Sequence, residues 1–185
     1  MFRMPFMIAI VLALLTSTGT LAQSAVYGTN NGTITFRSDA PLELIKASSK
    51  EMRGKVDISR KLFAFTVSVG SFSGFNSPLQ REHFNENYLE SAQYPNASFS
   101  GKIIEDIDFS KDGIYTVRAK GNLSIHGVVQ ERIIKTDLTI KDGKISITAD
   151  FTVLLADHNI PIPKVVHEKL ASEIKVAVKA DLALQ

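Results

Sequence analysis

Long stretches in which apolar and polar residues alternate limit what this chain can fold into. Apolar or small side chains occupy every second position from Tyr115 to Ile125, from Ile145 to Leu155 and from Ile174 to Leu184. A period of two is typical of a β-strand with one dry face, and these runs are about twice the usual strand length. Consecutive long antiparallel strands avoid exposed edges most simply by closing into a barrel. We therefore predict an all-β fold, an antiparallel β-barrel of about eight strands.

The strands earlier in the chain are less regular. We predict a first strand from Gly32 to Ser38, and two short strands within residues 42–57 that break near Lys50 and Gly54. Asp142-Gly143 separates two alternating runs and favours a two-residue hairpin turn, because both positions tolerate positive φ.

Alternation does not determine whether the apolar face points into the barrel or out of it. A transmembrane barrel would turn that face outwards, but the chain has no tryptophan and only four tyrosines for the aromatic girdles of such a barrel.

One segment in the middle of the chain has helical character. Ser77 is a good N-cap, Pro78 suits the first helical position, and Gln80 completes a capping box three residues after the cap. Tyr94-Pro95 would end the helix, since proline cannot continue it. We predict a short helix near residues 78–92, inserted between two runs of strand.

This helix would carry a narrow apolar stripe. Phe84, Tyr88 and Ala92 follow one another at four-residue spacing, and Phe72 and Phe75 precede the helix. We expect the stripe to press the helix onto one end of the barrel. There it would form part of the wall of an internal site, or a gate to that site.

The N-terminus has the features of a secretory signal peptide, which we predict over residues 1–22. A positive residue near the start precedes an apolar run from Phe6 to Leu15, and small residues lead up to a cleavage site after Ala22. The apolar run is too short to span a bilayer, and a retained membrane anchor is the alternative. Cleavage would leave a flexible lead-in at residues 23–31 and a barrel domain at residues 32–185, in the periplasm or outside the cell.

Composition excludes several kinds of chemistry. The chain has no cysteine, so it has no disulfides, no thiol nucleophile and no zinc–thiolate site. Its 21 basic and 19 acidic residues nearly balance and form no basic tract, which gives no indication of nucleic-acid binding. The four histidines are dispersed and lack the spacing of a metal motif. We therefore predict neither a metal site nor a cofactor.

The inserted helix also holds the best candidates for a catalytic site. His83, together with Glu82 or Glu86, could act as an acid or base at the barrel mouth if partly buried. No partnered nucleophile or oxyanion stabiliser accompanies them. We favour charges that face solvent on an amphipathic helix, and we predict no catalytic residues. His126, which precedes a glycine, is expected to be a turn residue.

Three motifs in the chain resemble those of a known family. They are, in order, Arg81-Glu82-His83-Phe84, Tyr94-Pro95-x-Ala97-x-Phe99 and Gly121-x-Leu123-x-Ile125-His126-Gly127-Val128. They are similar to motifs of the YceI-like family, and the resemblance extends from roughly Gly32 to Leu184. It implies a lipocalin-like antiparallel barrel in the bacterial periplasm that binds polyisoprenoid lipids.

The resemblance favours an open interior, and small residues on the dry faces, such as Ala119 and Ala149, would leave space for a ligand. We expect an exported protein that sequesters or carries a long apolar ligand, an isoprenoid lipid or a quinone. Transient contact with a membrane surface and a homodimer are left open. The alternatives are an enzyme acting on a lipid-like substrate at His83, and a filled barrel that binds another protein. The residues expected to line the ligand site are Phe36, Phe65, Val67, Phe72, Phe75, Phe84, Tyr88, Phe99, Tyr115, Val117, Leu123, Leu138, Ile147, Phe151, Val153, Val176 and Val178.

Overall fold

Eight antiparallel strands form a closed barrel in the computed structural model, which describes residues 25–185. Each strand pairs with its neighbours in sequence, and the last strand also pairs with the first. The strands are β1 (Val26–Asp39), β2 (Leu44–Asp57), β3 (Leu62–Ser68), β4 (Asn96–Ile103), β5 (Gly113–Ile125), β6 (Val128–Lys141), β7 (Lys144–Leu154) and β8 (Glu173–Leu184). The prediction of an all-β antiparallel barrel of about eight strands is confirmed. The predicted signal peptide, residues 1–22, lies outside the described residues.

The first strand begins earlier than predicted. β1 starts at Val26, so residues 26–31, part of the predicted flexible lead-in, are strand residues, of which residues 26–29 pair with β2 and residues 27–28 with β8. The register with β2 shifts between Thr29 and Gly32 and again between Gly32 and Ile34. These irregularities interrupt the alternation of side chains, which is why the sequence pattern did not reveal the first part of the strand.

The second strand is continuous, and the prediction of two short strands within residues 42–57 is wrong. β2 runs unbroken past both Lys50 and Gly54. Gly54 lies opposite Phe65 on β3, and a Cβ atom at Gly54 would lie only 2.0 Å from a carbon of the Phe65 ring. The glycine therefore makes room for an aromatic ring on the neighbouring strand and does not mark a break.

A short helical insertion of two parts connects β3 to β4, as predicted. An α-helix, α1 (Pro78–His83), is followed directly by one π-helical turn, Phe84–Tyr88, and together we call them the inserted helix. Ser77 caps α1, because its hydroxyl accepts a hydrogen bond from the Gln80 backbone N–H at 3.1 Å. No helix among residues 25–185 is long and apolar enough to cross a membrane.

The inserted helix ends four residues before the predicted limit at residue 92. Its C-cap is Leu89, and Glu90 follows with a left-handed backbone at φ 44°. The carbonyl oxygen of Glu90 then accepts hydrogen bonds from the backbone N–H groups of Gln93 and Tyr94, at 2.8 Å each. A turn centred on Glu90, and not Pro95, therefore ends the helix.

Two hairpins at opposite ends of the barrel use the same kind of turn. Asp142 and Gly143 join β6 to β7 with φ values of 51° and 71°, which confirms the predicted hairpin. His126 and Gly127 join β5 to β6 with the same two values. Positive φ at both central residues suits the twist of the flanking strands. We call the end with Asp142-Gly143 the closed end, and the opposite end, which carries the inserted helix, the open end.

The apolar face of the sheet points into the barrel, and the polar face points outwards. Ile140, Ile145 and Leu182 are buried and face one another near the closed end. This arrangement is the reverse of a transmembrane barrel.

At the open end, the ammonium group of Lys175 on β8 hydrogen-bonds Asp39 on β1 at 2.9 Å, and Arg37 pairs with the same carboxylate. The bond from Lys175 is the main reason that the pKa of Asp39 lies below its usual value.

One close approach between strands yields a test of the barrel geometry. Gly101 on β4 pairs with Gly121 on β5, and a Cβ atom at Gly101 would lie 2.1 Å from the Lys120 carbonyl oxygen. Because backbone must move to admit it, we expect Gly101→Ala to lower the free energy of unfolding by about 1–3 kcal/mol in urea titrations. Gly70→Ala is the control, since a Cβ there meets no atom within 4 Å. Equal stability of the two variants would contradict this packing.

Candidate apolar ligand site

A cavity of about 530 Å³ lies inside the barrel and extends to its open end. All eight strands, the inserted helix and the connection between β7 and β8 contribute to its wall. Along β5, the lining residues run from Val117 to Ile125, which is about 26 Å of strand. The volume falls within the range of about 300–1,000 Å³ that is usual for small-molecule sites. The cavity is therefore large enough for a ligand and elongated along the strands.

Most of the residues predicted to line a ligand site are found on the wall of this cavity. Their contact with a ligand stays a prediction. The sixteen that line the cavity are Phe36, Phe65, Val67, Phe72, Phe75, Phe84, Tyr88, Phe99, Val117, Leu123, Leu138, Ile147, Phe151, Val153, Val176 and Val178.

Tyr115 is the exception among the predicted residues. It lies near the closed end, outside the cavity, and packs beside the hydrophobic core with its hydroxyl group donating to the Lys111 carbonyl oxygen at 3.1 Å. Tyr115 has the same parity as the lining residues of β5. Alternation predicts the face of a strand on which a residue lies, but not how deep along the barrel it lies.

Four phenylalanine rings join the inserted helix to the barrel. The ring of Phe84 stacks on Phe36 of β1 with centroids 5.2 Å apart, and it lies 5.8 Å from Phe72 and 5.1 Å from Phe75. Such aromatic pairs contribute about 0.5–1.5 kcal/mol each beyond the burial of their area. Phe84 therefore fixes the helix to the barrel at the place where both line the cavity.

The connection between β7 and β8 supplies lining residues that sequence reasoning missed. Leu155, Ile160, Val166 and Leu170 all lie on the cavity wall. Leu155 continues the alternation of β7, so its face could have been inferred from that pattern. Ile160, Val166 and Leu170 follow no strand or helix period, and prolines interrupt the segment, so their apolar character was the available indication. The segment is anchored in the barrel by the backbone N–H of Ala171, which donates to the buried Ser38 hydroxyl at 2.9 Å.

Polar groups gather where the cavity meets solvent at the open end. Glu43, Ser77, Gln80, His83 and Lys169 line this mouth, and the Gln80 amide donates to a Glu43 carboxylate oxygen at 2.8 Å. The wall below them is almost entirely apolar. The site thus offers hydrogen-bonding groups at one end and hydrocarbon surface along the rest.

The predicted catalytic candidates do not form a partnered site. His83 is exposed at the mouth, and Glu82 and Glu86 are exposed and lie off the cavity wall. Within residues 25–185, no hydrogen bond or ion pair joins His83 to either glutamate. Tyr88 lines the cavity, and burial raises the pKa of its phenol above the ordinary value. Among the described residues, His83 therefore forms no aligned acid–base pair with Glu82 or Glu86 at the mouth.

His126 is a turn residue, as predicted, and it also links two parts of the cavity wall. Its Nδ1 lies 3.0 Å from the carbonyl oxygen of His158, and its Nε2 lies 2.7 Å from a carboxylate oxygen of Glu90. The Tyr94 ring packs edge-on against it at 4.8 Å. Both hydrogen-bonding partners are acceptors, so the ring donates to both only when each nitrogen carries a proton. The turn thereby holds the exit of the inserted helix and the start of the β7–β8 connection together.

The two remaining histidines, His158 and His167, hydrogen-bond backbone carbonyl oxygens and lie off the cavity wall. His158 is fully buried and hydrogen-bonds the Val128 carbonyl oxygen through Nδ1 at 3.2 Å. His167 is exposed, with Nδ1 2.6 Å from the Lys164 carbonyl oxygen. In the part of the chain that the structure describes, no group of three or more His, Cys, Asp or Glu side chains is arranged to hold a metal ion.

A closed antiparallel barrel around an apolar cavity defines the class of protein. The family model of the YceI-like domain matches residues 16–182, so the chain belongs to the YceI-like family. The sequence matches no curated protein.

Solved structures with the same fold share little sequence with this chain. A polyisoprenoid binding domain from Saccharophagus degradans, implicated in plant cell wall breakdown, is 12% identical with a TM-score of 0.73, covering 88% of this chain and 100% of that one. BcnA from Burkholderia cenocepacia is 13% identical with a TM-score of 0.67, covering 82% and 96%. The YCEI protein of Campylobacter jejuni is 17% identical with a TM-score of 0.58, covering 75% and 84%. At these identities the likeness shows the fold alone.

The role of His126 can be tested by measuring the free energy of unfolding of a variant. His126→Ala removes two hydrogen bonds and an aromatic contact and leaves Glu90 without this partner. We expect the free energy of unfolding to fall by about 1–3 kcal/mol in urea titrations. His167→Ala is the matched control, because that side chain is exposed and should change stability by less than about 0.5 kcal/mol. A His126 variant as stable as the control would show that the turn does not depend on this side chain.

Proposed function

We propose that this protein is an exported carrier that sequesters or transports a long apolar ligand, an isoprenoid lipid or a quinone, in the barrel cavity. The observation that carries the proposal is the elongated apolar cavity, closed at one end and open at the other. The name of the Saccharophagus degradans neighbour, a polyisoprenoid binding domain, supports the same class of ligand. The predicted signal peptide over residues 1–22 supports a location in the periplasm or outside the cell.

The energetics of an apolar cavity suit exchange with a membrane. Burial of hydrocarbon from water is worth about 0.8 kcal/mol for each CH₂ group. A prenyl chain in a bilayer is already out of water, so most of this gain cancels when the chain moves from bilayer to barrel. The cavity needs only to hold the chain at about the same free energy as the membrane does for lipid to pass in either direction. In water, by contrast, the same apolar wall would hold the chain firmly.

The mouth suits a ligand with a polar head. The phenol of Tyr88 and the ammonium group of Lys169 can donate hydrogen bonds at the end where the apolar wall stops. One basic and one acidic residue, Lys169 and Glu43, line the mouth. Such a mouth favours a neutral head that accepts hydrogen bonds, as a quinone carbonyl does, over a head that requires several cations.

The alternative functions are less well supported by the geometry. An enzyme acting on a lipid-like substrate would use His83, the one catalytic candidate that lines the mouth, but its imidazole has no hydrogen-bonding partner among residues 25–185. A filled barrel that serves as an interaction module does not agree with a cavity of about 530 Å³.

Filling the cavity tests the proposal. Ala149 lies on the cavity wall, so Ala149→Trp should place an indole ring inside the cavity and lower lipid retention while the barrel stays folded. Ala64→Trp is the control, because Ala64 is exposed on the outer face of β3. Mass spectrometry of organic extracts of the two purified variants and the wild type measures lipid per mole of protein. Equal lipid content in the three proteins, or none in the wild type, would refute binding in this cavity.

The contribution of the inserted helix is testable in the same way. Phe84→Ala with Tyr88→Ala removes two aromatic rings from the wall, and buried rings of this kind contribute about 3–5 kcal/mol each, less where they are half-exposed. We expect lower retention of co-purified lipid or faster exchange. Glu86→Ala is the control on the same helical turn, since Glu86 is exposed and off the wall.

His83→Ala separates the carrier from the enzyme. A carrier needs no charge to hold hydrocarbon, so retention should be nearly unchanged, whereas the enzyme alternative requires that turnover be lost with binding intact.

Full retention of lipid in the folded Phe84 and Tyr88 double variant would show that the helix is not part of the site.

A further inference from the structure

Three segments meet around the mouth of the cavity. They are the β1–β2 connection at residues 40–43, the start of the inserted helix at residues 76–83, and residues 164–170 in the β7–β8 connection. The backbone N–H of Leu42 donates to the Glu168 carbonyl oxygen at 2.8 Å, which joins the first segment to the third.

The first and second segments are also joined. The hydrogen bond between Gln80 and Glu43 links them at 2.8 Å, and Asn76 donates to the Leu44 carbonyl oxygen at 2.9 Å. Each segment contributes to the cavity wall, with Glu43 from the first, Leu79 from the second and Lys169 from the third. The first segment therefore links the other two, and all three border the opening.

Large apolar side chains project from this border into solvent. Leu42 is 66% exposed, Leu79 is 57% exposed and Val165 is 89% exposed. We call these three residues the rim. Leu79 also lines the cavity, so apolar surface continues from the interior of the barrel to its outside. Apolar surface around an opening is typical of a binding surface.

Two lysines flank the rim. Lys164 and Lys169 are exposed, and neither has an acidic partner within 4.0 Å among residues 25–185. Ammonium groups beside apolar side chains match a surface in which phosphate groups lie above hydrocarbon. Glu43, Glu82 and Glu168 in the same border offset the positive charge, so apolar contact must supply most of the attraction.

We propose that the rim docks this protein onto a phospholipid bilayer, with the mouth against the membrane so that the ligand passes between the two without entering water. The inference rests on the proposed carrier function. A second copy of the chain is a poorer occupant, because a stable dimer usually buries about 1,600 Å², far more than three side chains supply. Leu42, Leu79 and Val165 enter the boundary between head groups and acyl chains, and Lys164 and Lys169 contact lipid phosphates.

The test uses a variant that changes the rim but not the cavity. Leu42→Ser with Val165→Ser removes two exposed side chains that do not line the cavity. Ile114→Ser with Ile133→Ser is the control, since Ile114 is 77% exposed and Ile133 is 56% exposed on the outer surface of β5 and β6, away from the mouth. The probe is a dansyl-labelled prenyl alcohol, presented either from dilute aqueous solution or from vesicles of phosphatidylcholine and phosphatidylglycerol.

We expect the rim variant to bind the probe from water with wild-type affinity and to take it from vesicles roughly tenfold more slowly. The control variant should equal the wild type in both measurements, and the transfer rate of the wild type should persist at high salt.

Unchanged transfer by the rim variant, with affinity intact, would overturn the docking inference and leave the carrier function standing. A wild-type dimer in light scattering that the rim variant dissociates would assign the rim to self-association and overturn it too. Failure of the wild type to bind the probe in either form would overturn the carrier function, and the docking inference with it.

Discussion

The pairing of β8 with β1 is the constraint on which the rest of the structure depends. Closure satisfies the backbone groups of both edge strands and turns every second side chain towards one enclosed interior. A barrel of about eight strands lies at the boundary between a filled core and a small ligand cavity, so the size of the inward side chains decides the outcome. Ile140 on β6 and Ile145 on β7 fill the closed end, whereas Ala119 on β5 and Ala149 on β7 leave space farther from that end.

The sequence predicts the fold best where backbone geometry is regular. Strands β5, β7 and β8 keep a strict alternation, and the Asp142-Gly143 turn has the positive φ values that its residues favour, so these elements could be read directly. The face on which Val117, Leu123 or Phe151 lies followed from the same alternation. Local turn chemistry also located the start of the inserted helix at Ser77 and Pro78.

The errors arise where tertiary contacts override local pattern. The shifts in register around Gly32 hid the first residues of β1, and Gly54 suggested a break because the Phe65 ring that needs its space lies on another strand. The inserted helix stops at a left-handed Glu90, which no sequence rule favours. His126 holds this turn to the β7–β8 connection through contacts 32 and 36 residues distant along the chain. Hydrogen bonds between residues so far apart in sequence leave no periodic pattern. The sequence therefore could not predict how the inserted helix is held to the β7–β8 connection.

The barrel and the inserted helix differ in how they are stabilised. No residue of α1 or the π-helical turn is fully buried. The inserted helix is held by the stacked ring of Phe84 and by hydrogen bonds such as that from Arg81 to the Gly70 carbonyl oxygen at 3.1 Å. Segments with few buried contacts open at a lower free energy than paired strands. We therefore expect the helix to open at a lower free energy than the paired strands, and under the proposed carrier function that opening would admit the ligand to the cavity.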